Sequence, residues 1–280
     1  MEAARASAGS ALPHGGNPVA RRTTERSMTD PASTPVALIT GASSGIGAAV
    51  AARFATEGTW RVVLNGRDHT RLDQVAAAIG GHPVPGDLSD RDGCRRLVEA
   101  AVGVSGRVDL LVAAAGIGWA GPFAEMPDAA IDEILAVDLA AVVHLVRLVL
   151  PQMMHRNTGH LVLVGSIAGS VGVREEAVYS AAKAALTTFA DSLRYELMGS
   201  RVRISMVVPG AVKTPFFARR GSLYQRSHPR PVEPMRVADA VWDAVAHDRS
   251  EAFVPGWLWF PARLRGAAPS LFRHLAARFS

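Results

Sequence analysis

Cysteine is nearly absent from this sequence: Cys94 is the single one among 280 residues. One thiol cannot form a disulfide within the chain, which excludes the small disulfide-stapled folds typical of secreted proteins. A free thiol stays reduced in a reducing compartment, so we expect a cytoplasmic protein. With 49% apolar residues, a chain of this length can bury one full-sized core, and we expect a single domain.

A long apolar run without charged side chains is also absent. The most apolar stretch, LAVDLAAVVHLVRLVLPQMM, contains Asp138, His144 and Arg147. A helix that spans a membrane needs about 20 predominantly apolar residues. We therefore expect no transmembrane segment and interpret this stretch as a buried core helix.

Lysine is scarce although the chain is basic, with a formal net charge of +5. Lys183 and Lys213 are the only lysines among 30 basic residues, which leaves 28 arginines. The arginines are spread along the chain without a motif that reads nucleic acid, so we expect no nucleic-acid partner. Lys183 follows Tyr179 by four residues in an expected helix, a spacing that puts a phenol and an ammonium on one face.

The first 34 residues lack any apolar period and are rich in Ala, Ser, Gly, Pro and Arg. Because they also lack the apolar core of a signal peptide, we expect residues 1–34 to be a disordered extension, with Met28 as an alternative start. An arginine-rich transit peptide is the rival interpretation, but the segment has no amphipathic helical pattern.

From Val36 onward, short apolar runs alternate with helical patterns. The runs are VALIT, RVVLNG, HPVPGD, VDLLVAAAG, HLVLVGS and RISMVVPG, and they lack the period-two alternation of half-exposed strands. Such strands form parallel sheets that are covered on both faces. The sequence predicts an α/β fold, a Rossmann-like doubly wound parallel sheet with helices on both faces, in one domain over residues 35–256.

The first predicted strand runs into TGASSGIG, residues 40–47. Its glycines allow a sharp turn and let a pyrophosphate approach the N-terminus of the next helix, where free amides favour an anion. The spacing differs from G-x-G-x-x-G, but the position between strand and helix predicts nucleotide binding. The cofactor-binding candidates in this loop are Gly41, Ser43, Ser44, Gly45, Ile46 and Gly47.

The second predicted strand ends in LNGRD. An acidic residue at this point binds the ribose 2′-hydroxyl of NAD, whereas Gly66 and Arg67 occupy the region here, and a guanidinium suits a 2′-phosphate. We therefore expect NADP(H) to be favoured over NAD(H). Two alternatives stay open: Asp68 could bind a ribose instead, or Arg67 is a solvated turn residue.

These motifs together resemble those of the short-chain dehydrogenase/reductase family over roughly residues 35–256. TGASSGIG looks like that family's cofactor loop, GDLSD like its acidic turn after strand three, and VVPGAVKTPF like its loop at the nicotinamide end. GSIAGSVGVREEAVYSAAK resembles its Ser, Tyr and Lys segment, with 13 residues separating Ser166 from Tyr179. The resemblance implies no metal, and it implies further cofactor contacts from Asp87, Leu88, Ala114, Ala115, Gly116, Tyr179, Lys183, Pro209, Gly210, Val212 and Thr214.

The resemblance also implies an NADP(H)-dependent oxidoreductase that interconverts an alcohol and a ketone or aldehyde by hydride transfer. Tyr179 would be the acid/base, Ser166 would polarise the carbonyl oxygen, and Lys183 would anchor the ribose. A tyrosine with a pKa near 10 is a weak base at neutral pH, and an ammonium within about 5 Å and a positive nicotinamide would both lower that pKa. The alternatives are an epimerase or dehydratase on the same fold, and a catalytically silent nucleotide sensor.

Two positions depart from the family pattern. The family's Asn-Asn-Ala-Gly motif appears here as AAAG, so Ala113 and Ala114 lack the amides that brace this strand, and something else must brace the loop. Asp138 stands where the family usually has an asparagine that helps hold a water linked to the lysine. We expect Asp138 to be a catalytic-site residue, ionised beside Lys183, that alters the pH dependence of turnover without abolishing it.

Residues 213–234 fall where the family has its mobile substrate lid, and the sequence does not choose between two kinds of ligand there. Four side chains would suit an apolar ligand: Phe216, Phe217, Leu223 and Tyr224. Four arginines could bind an anionic carrier such as a CoA or acyl-carrier phosphate: Arg219, Arg220, Arg226 and Arg230. In either case we expect a small-molecule carbonyl or alcohol substrate.

After AFVPG, an expected last strand, residues 257–280 form an aromatic and basic extension with Trp257, Trp259 and Phe260 beside Arg263 and Arg265. We expect these aromatics to close over the substrate cleft or to pack on another subunit of a homodimer or homotetramer. Peripheral contact with a membrane surface is the alternative.

Overall fold

The computed structural model describes residues 34–224 and 229–276; the predictions for residues 1–33, 225–228 and 277–280 lie outside this range. The described residues contain one parallel sheet of seven strands in the order β3-β2-β1-β4-β5-β6-β7. The strands are β1 Val36–Ile39, β2 Arg61–Gly66, β3 His82–Pro85, β4 Leu110–Ala113, β5 Gly159–Val164, β6 Val202–Pro209 and β7 Glu251–Val254. The predicted fold class is confirmed, and every predicted strand is present.

Helices connect the strands and cover both faces of the sheet. They are α1 Gly45–Thr56, α2 His69–Ile79, α3 Arg91–Ser105, α4 Asp128–Leu135, α5 Ala141–His155, α6 Ile167–Val171, α7 Ala177–Glu196, α8 Phe216–Arg219, α9 Pro234–Ala246, α10 Trp259–Ala267 and α11 Pro269–Ala276. A π-helical turn, Ala136–Ala140, joins α4 to α5, and 3-10 turns span Phe123–Glu125 and Gly256–Leu258.

The sheet separates two apolar cores. Helices α3, α5 and α7 pack on one face, where Leu145 and Leu186 contact the strand residues around Leu111. Helices α1, α2 and α9 pack on the other face, where Phe54 and Val241 belong to the core. Burial of both faces explains why the central strands β1, β4 and β5 are continuous apolar runs, whereas the edge strand β3 is mostly exposed.

Aspartates start the two helices that follow β2 and β3. Asp68 Oδ1 accepts a hydrogen bond from the Arg71 amide at 2.9 Å, and Asp90 Oδ1 accepts one from the Gly93 amide at 2.6 Å. Such N-caps satisfy amides that have no partner inside the helix. The carboxylate of Asp68 is therefore engaged by α2, a point that bears on the cofactor site.

The segment from α4 to α5 is one continuous helix of 28 residues, Asp128–His155, interrupted only by the π-helical turn. By length and composition alone it is apolar enough to cross a membrane, with a mean hydropathy of 2.1 over its most apolar window. The charges within it do not exclude a span, so that step of the sequence argument was wrong. Its packing nevertheless confirms a core helix, since the core contains Ala141, Val142, Leu145, Val146, Val149 and Met153.

Candidate active site

A cleft of about 740 Å³ lies at the carboxyl ends of the strands. The strand order reverses between β1 and β4, and doubly wound sheets bind ligands outside the carboxyl ends of their strands at such a switch point. All the predicted cofactor-binding and catalytic residues line this cleft except Asp138. The sheet thus brings together residues from nearly the whole length of the domain.

The glycine loop between β1 and α1 has the backbone shape that a dinucleotide needs. Gly41 and Gly45 have φ angles of 68° and 60°, in the left-handed region that favours glycine. A Cβ on Gly47 would lie 2.6 Å from the carbonyl carbon of Gly41, and one on Gly66 would lie 2.9 Å from Ser43 Cβ. A side chain at either position would collide with the loop itself, so glycine allows the loop to adopt this shape, which fits a bound dinucleotide.

Thr40 braces the loop after β4, which lacks the family's asparagines. Its side chain is 1% exposed, and its Oγ1 accepts hydrogen bonds from the amides of Ala114 and Ala115, both at 3.1 Å. The two alanines predicted that another group braces this loop, but the sequence did not identify Thr40. The available signal was the position of Thr40 at the start of TGASSGIG, directly after β1, the strand adjacent to β4.

Ser166, Tyr179 and Lys183 converge on one side of the cleft. Ser166 directly precedes α6, where its Oγ accepts a hydrogen bond from the Ala168 amide at 3.2 Å, and it is close enough to Tyr179 to lower the pKa of that phenol. Lys183 Nζ lies 5.7 Å from the centroid of the Tyr179 ring and donates to the Val164 carbonyl at 3.3 Å. Gly169 lets α6 approach α7, because a Cβ there would lie 2.6 Å from the carbonyl carbon of Lys183.

Asp138 lies behind Lys183, in the π-helical turn, with no exposed surface. Its Oδ1 accepts a hydrogen bond from the Ile117 amide at 2.8 Å, and its Oδ2 lies 3.0 Å from Lys183 Nζ. The approach at Oδ2 has the distance of an ion pair but falls outside hydrogen-bond geometry. Asp138 does not line the cleft, and it contacts the side chains that do through Lys183.

The charges around Tyr179 act in opposite directions. Burial raises the pKa of Tyr179, Lys183 lowers it, Asp138 raises it again, and the net pKa lies above its usual value. Burial also raises the pKa of Asp138, with Lys183 and the Ile117 amide opposing. Burial lowers the pKa of Lys183, but Asp138 and Tyr179 raise it more. Lys183 lowers the pKa of Tyr179, as the sequence predicts, but burial raises this pKa by more than Lys183 lowers it.

The end of β2 carries paired charges. Arg67 Nη1 lies 2.8 Å from Glu133 Oε1 and 4.0 Å from Asp87 Oδ2. Asp68 pairs with Arg71 at 2.7 Å besides capping α2. Burial raises the pKa of Asp87, but hydrogen bonds from Ser89 and the charge of Arg67 bring it below the usual value. Arg67 is therefore neither a free cation nor a simple solvated turn residue.

Aromatic side chains of the lid stack beside Tyr179. The centroid of the Phe216 ring lies 5.4 Å from that of Tyr179 and 5.6 Å from that of Phe217, and the Phe217 centroid lies 5.0 Å from that of Tyr224. Leu223 also lines the cleft. These contacts give the substrate end of the cleft an apolar wall.

Two of the lid arginines, which the sequence left open as a site for an anionic carrier, are engaged by other protein groups. Arg220 is buried in an ion pair with Glu176 and lies over the Phe217 ring, 4.7 Å from its centroid. Arg219 donates to Ser44 of the glycine loop at 3.3 Å. Arg230 is exposed and does not line the cleft, and Arg226 lies outside the described residues. Sequence reasoning missed the contact between Arg220 and Glu176, which are 44 positions apart.

The aromatic residues after β7 do not close over the cleft, so that half of the expectation was wrong, and packing on another subunit stays a prediction. Trp257, Trp259 and Phe260 are 58%, 53% and 62% exposed, and none of them lines the cleft. Two arginines of α10 hold this helix in place instead. Arg263 pairs with Glu251, and Arg265 donates a hydrogen bond to the Ser170 carbonyl at 2.6 Å. These contacts point the aromatic side chains outward.

The fold and the site together define an oxidoreductase that uses a nicotinamide dinucleotide. The glycine loop, the switch-point cleft and the Ser166, Tyr179 and Lys183 cluster are the features of that class. Within residues 34–224 and 229–276, no group of three or more His, Cys, Asp or Glu side chains could hold a metal ion.

Comparison with known proteins agrees with this class. Residues 35–224 match the family described as short chain dehydrogenase. An uncharacterized oxidoreductase of Myxococcus xanthus (strain DK1622) is 33% identical over 249 residues, covering 86% of this chain and 96% of that protein. The ketoacyl reductase HetN of Nostoc sp. is 36% identical over 222 residues, covering 78% of this chain and 77% of that protein.

Solved structures show the same likeness. A short-chain dehydrogenase/reductase from Burkholderia phymatum in complex with NAD has a TM-score of 0.77 at 25% identity, covering 87% of this chain and 96% of that one. A short-chain dehydrogenase from Sphingobium yanoikuyae in complex with NADPH has a TM-score of 0.74 at 29% identity, covering 85% and 95%. This chain belongs to the short-chain dehydrogenase/reductase family and is an NAD(P)-dependent oxidoreductase.

Proposed function

We propose that this protein interconverts an apolar ketone or aldehyde and its alcohol with NADP(H). The observation that carries the proposal is the cluster of Ser166, Tyr179 and Lys183 at the end of the cleft beside the lid aromatics. Ser166 is close enough to lower the pKa of Tyr179, and Lys183 Nζ lies 5.7 Å from the centroid of the Tyr179 ring. A carbonyl oxygen placed between Ser166 and Tyr179 would meet two hydroxyl donors.

Each of the three side chains has a proposed role. In reduction, Ser166 donates a hydrogen bond to the carbonyl oxygen, and Tyr179 delivers the proton that the oxygen needs to become a hydroxyl. Lys183 opposes the negative charge that is left on Tyr179, and its position at the floor of the cleft suits a ribose hydroxyl. When bound, the nicotinamide supplies or accepts the hydride.

Glycines and loop residues would hold the cofactor along the cleft. The N-terminus of α1, with Gly45 and Gly47, suits the pyrophosphate. The candidates on the nicotinamide side are Pro209, Gly210, Val212 and Thr214, and the Thr214 side chain lies against Gly45. Asp87 and Leu88 line the adenine end.

The end of β2 supports a preference for NADP(H). A carboxylate that bound both ribose hydroxyls would disfavour a 2′-phosphate, but Asp68 is engaged by the Arg71 amide and guanidinium. Arginines 67, 71 and 219 line the same part of the cleft. We therefore expect NADPH to bind more tightly than NADH by roughly 1 to 3 kcal/mol, the scale of a charge-assisted contact.

The lid supports an apolar substrate over an anionic carrier. Phe216, Phe217 and Tyr224 line the cleft and touch one another through edge-on and tilted ring contacts, whereas Arg220 is held by Glu176. A charged substrate in this region would have to break that buried ion pair, which is costly.

Turnover of a matched substrate panel tests the proposal. NADPH oxidation is measured with aromatic and aliphatic ketones and aldehydes, each beside an analogue that carries a carboxylate. We expect turnover of the apolar members, with kcat/KM at least tenfold higher than for the charged analogues. A preference for the charged analogues would refute the substrate class. NADPH binding without turnover of any carbonyl compound would favour the epimerase, dehydratase or sensor alternatives.

We also propose a cytoplasmic homodimer or homotetramer. Exposed apolar side chains of α5 and of the end of α7, including Met154, Tyr195 and Met198, offer an interface for a second copy. Light scattering of the purified protein tests the oligomer, and a monomer at micromolar concentration would contradict it. Fractionation of the producing cells tests the location, and a membrane-bound fraction would contradict it.

A further inference from the structure

Three arginines line the cleft beside the end of β2, and two of them are already paired with carboxylates. Arg67 lies 2.8 Å from Glu133 and 4.0 Å from Asp87, and Arg71 lies 2.7 Å from Asp68. Their positive charge is partly neutralised by these partners. A phosphate that entered here would meet the carboxylates as well as the guanidinium groups.

Arg219 is the third arginine, and it comes from a different part of the chain. It is the last residue of α8, in the lid, and its Nη1 donates to Ser44 Oγ at 3.3 Å across 175 positions of sequence. Among the described residues, no carboxylate forms an ion pair with it. Ser44 itself precedes α1 and makes no capping hydrogen bond with its side chain.

The three arginines are close enough to repel one another. Burial lowers the pKa of Arg219, Arg71 and Arg67 lower it further, and Asp68 opposes them. An arrangement that holds like charges together is stabilised when an anion binds between them. Arg67 and Arg71 follow the end of β2, where doubly wound folds bind the ribose, and Arg219 approaches them from the lid beside Ser44 at the start of α1.

We propose that Arg219 of the lid binds the 2′-phosphate of NADP(H) and supplies the unpaired charge that selects this cofactor over NAD(H). The inference rests on the proposed cofactor preference and assigns it to a residue that the sequence placed at the substrate. The lid would then bind the 2′-phosphate of the cofactor through Arg219 and contact the substrate through Phe216 and Phe217. Arg67 would assist while remaining paired with Glu133.

Arg219→Gln is a cleaner test of this idea than a change at Arg67. Replacing Arg67 removes the partner of Glu133 and Asp87, so it would weaken phosphate binding even without a direct contact. Replacing Arg219 leaves no described carboxylate without its cation. Lys213→Gln is the matched control, because Lys213 is a lid cation that pairs with Glu233 and does not line the cleft.

The experiment uses two probes that differ only in the 2′-phosphate: adenosine 2′,5′-bisphosphate and adenosine 5′-monophosphate. Their dissociation constants are measured by calorimetry for the full chain and both variants, with thermal melting to show that each variant is folded. We expect the unmodified protein to bind the bisphosphate at least tenfold more tightly. Arg219→Gln should reduce that ratio by about tenfold, while Lys213→Gln should leave it within twofold.

Four outcomes separate the two proposals. The expected loss of the ratio in Arg219→Gln alone supports the inference. If the unmodified protein does not distinguish the probes, the NADP(H) preference fails and the inference fails with it. If the unmodified protein distinguishes them and Arg219→Gln does so equally well, only the role of Arg219 is overturned. If Arg219→Gln weakens both probes to the same degree, Arg219 binds another part of the nucleotide and the assignment is overturned.

Discussion

Lys183 Nζ and Asp138 Oδ2 lie 3.0 Å apart in a buried ion pair beneath the cleft, with 5% and 0% of the two side chains exposed. Taking two charges out of water is expensive, and removing one partner leaves the other uncompensated. Asp138 retains its hydrogen bond from the Ile117 amide, which anchors the loop after β4 to the π-helical turn. The pair therefore links the position of Lys183 to the backbone that lines the cofactor cleft.

Replacing Asp138 with asparagine should shift the pH profile of alcohol oxidation. The negative charge of Asp138 raises the pKa of Tyr179, so its removal lowers that pKa and moves the ascending limb of kcat/KM to lower pH. The maximum rate should be retained, because asparagine can still accept from the Ile117 amide. The measurement is kcat/KM for one alcohol between about pH 6 and 11.

Asp132→Asn is the control for this shift, because Asp132 is exposed on the adjoining helix α4. It should leave the profile unchanged. A profile of Asp138→Asn that superimposes on that of the unmodified protein, or moves to higher pH, would contradict the electrostatic role.

Replacing Tyr179 with phenylalanine should abolish turnover while the cofactor still binds. The change removes the transferable proton and little of the surface that contacts a cofactor, and loss of a general acid typically costs about 10²- to 10⁴-fold in rate. The measurements are kcat for ketone reduction and the dissociation constant of NADPH. Tyr195→Phe is the matched control, because Tyr195 lies on the same helix and is 72% exposed. If Tyr179→Phe kept a tenth of the original kcat, Tyr179 would not be the acid.

Replacing Thr40 with valine should destabilise the protein by about 1 to 3 kcal/mol, because the shape is kept while the amides of Ala114 and Ala115 lose their acceptor. Thr40→Ser keeps the hydroxyl and should recover most of this loss. Urea unfolding of the three proteins measures the difference. Equal stability of the valine and serine variants would show that the hydroxyl is not the brace.

His160 should make the protein sensitive to acid. Burial lowers its pKa from 6.5 to about 4, and its Nε2 lies 2.7 Å from Ser205 Oγ, which donates to the Arg249 carbonyl. The unfolded chain therefore binds the proton at higher pH than the folded chain. The contribution is complete above the unfolded pKa and declines as the pH falls towards 4, by up to about 3 kcal/mol in the free energy of unfolding.

His160→Gln removes this titration and should flatten the fall in stability between about pH 6.5 and 4, whatever its effect at neutral pH. Denaturant unfolding at a series of pH values gives the slope. His155→Gln, at an exposed position at the end of α5, should leave the slope unaltered. An unchanged slope in the His160 variant would show that other groups cause the acid sensitivity.

Local sequence determined the strands, the glycine loop and the spacing of Ser166, Tyr179 and Lys183. Strands buried on both faces need continuous apolar residues, so VALI and HLVLV identify β1 and β5 from composition alone. The turn of TGASSGIG needs glycine at positive φ, and the sequence has glycine at those positions. The four-residue interval from Tyr179 to Lys183 fixes a common helical face without reference to the rest of the chain.

Only the tertiary structure decided which distant side chains meet. Packing of β1 beside β4 brings the Thr40 hydroxyl to the Ala114 amide, 74 positions away, and the fold of the lid brings Arg219 to Ser44. The segment that looked suited to cover the cleft, around Trp257, points outward, because Arg263 and Arg265 hold α10 elsewhere. Such contacts depend on the path of the whole backbone, which the local pattern of residues around any one of them does not encode.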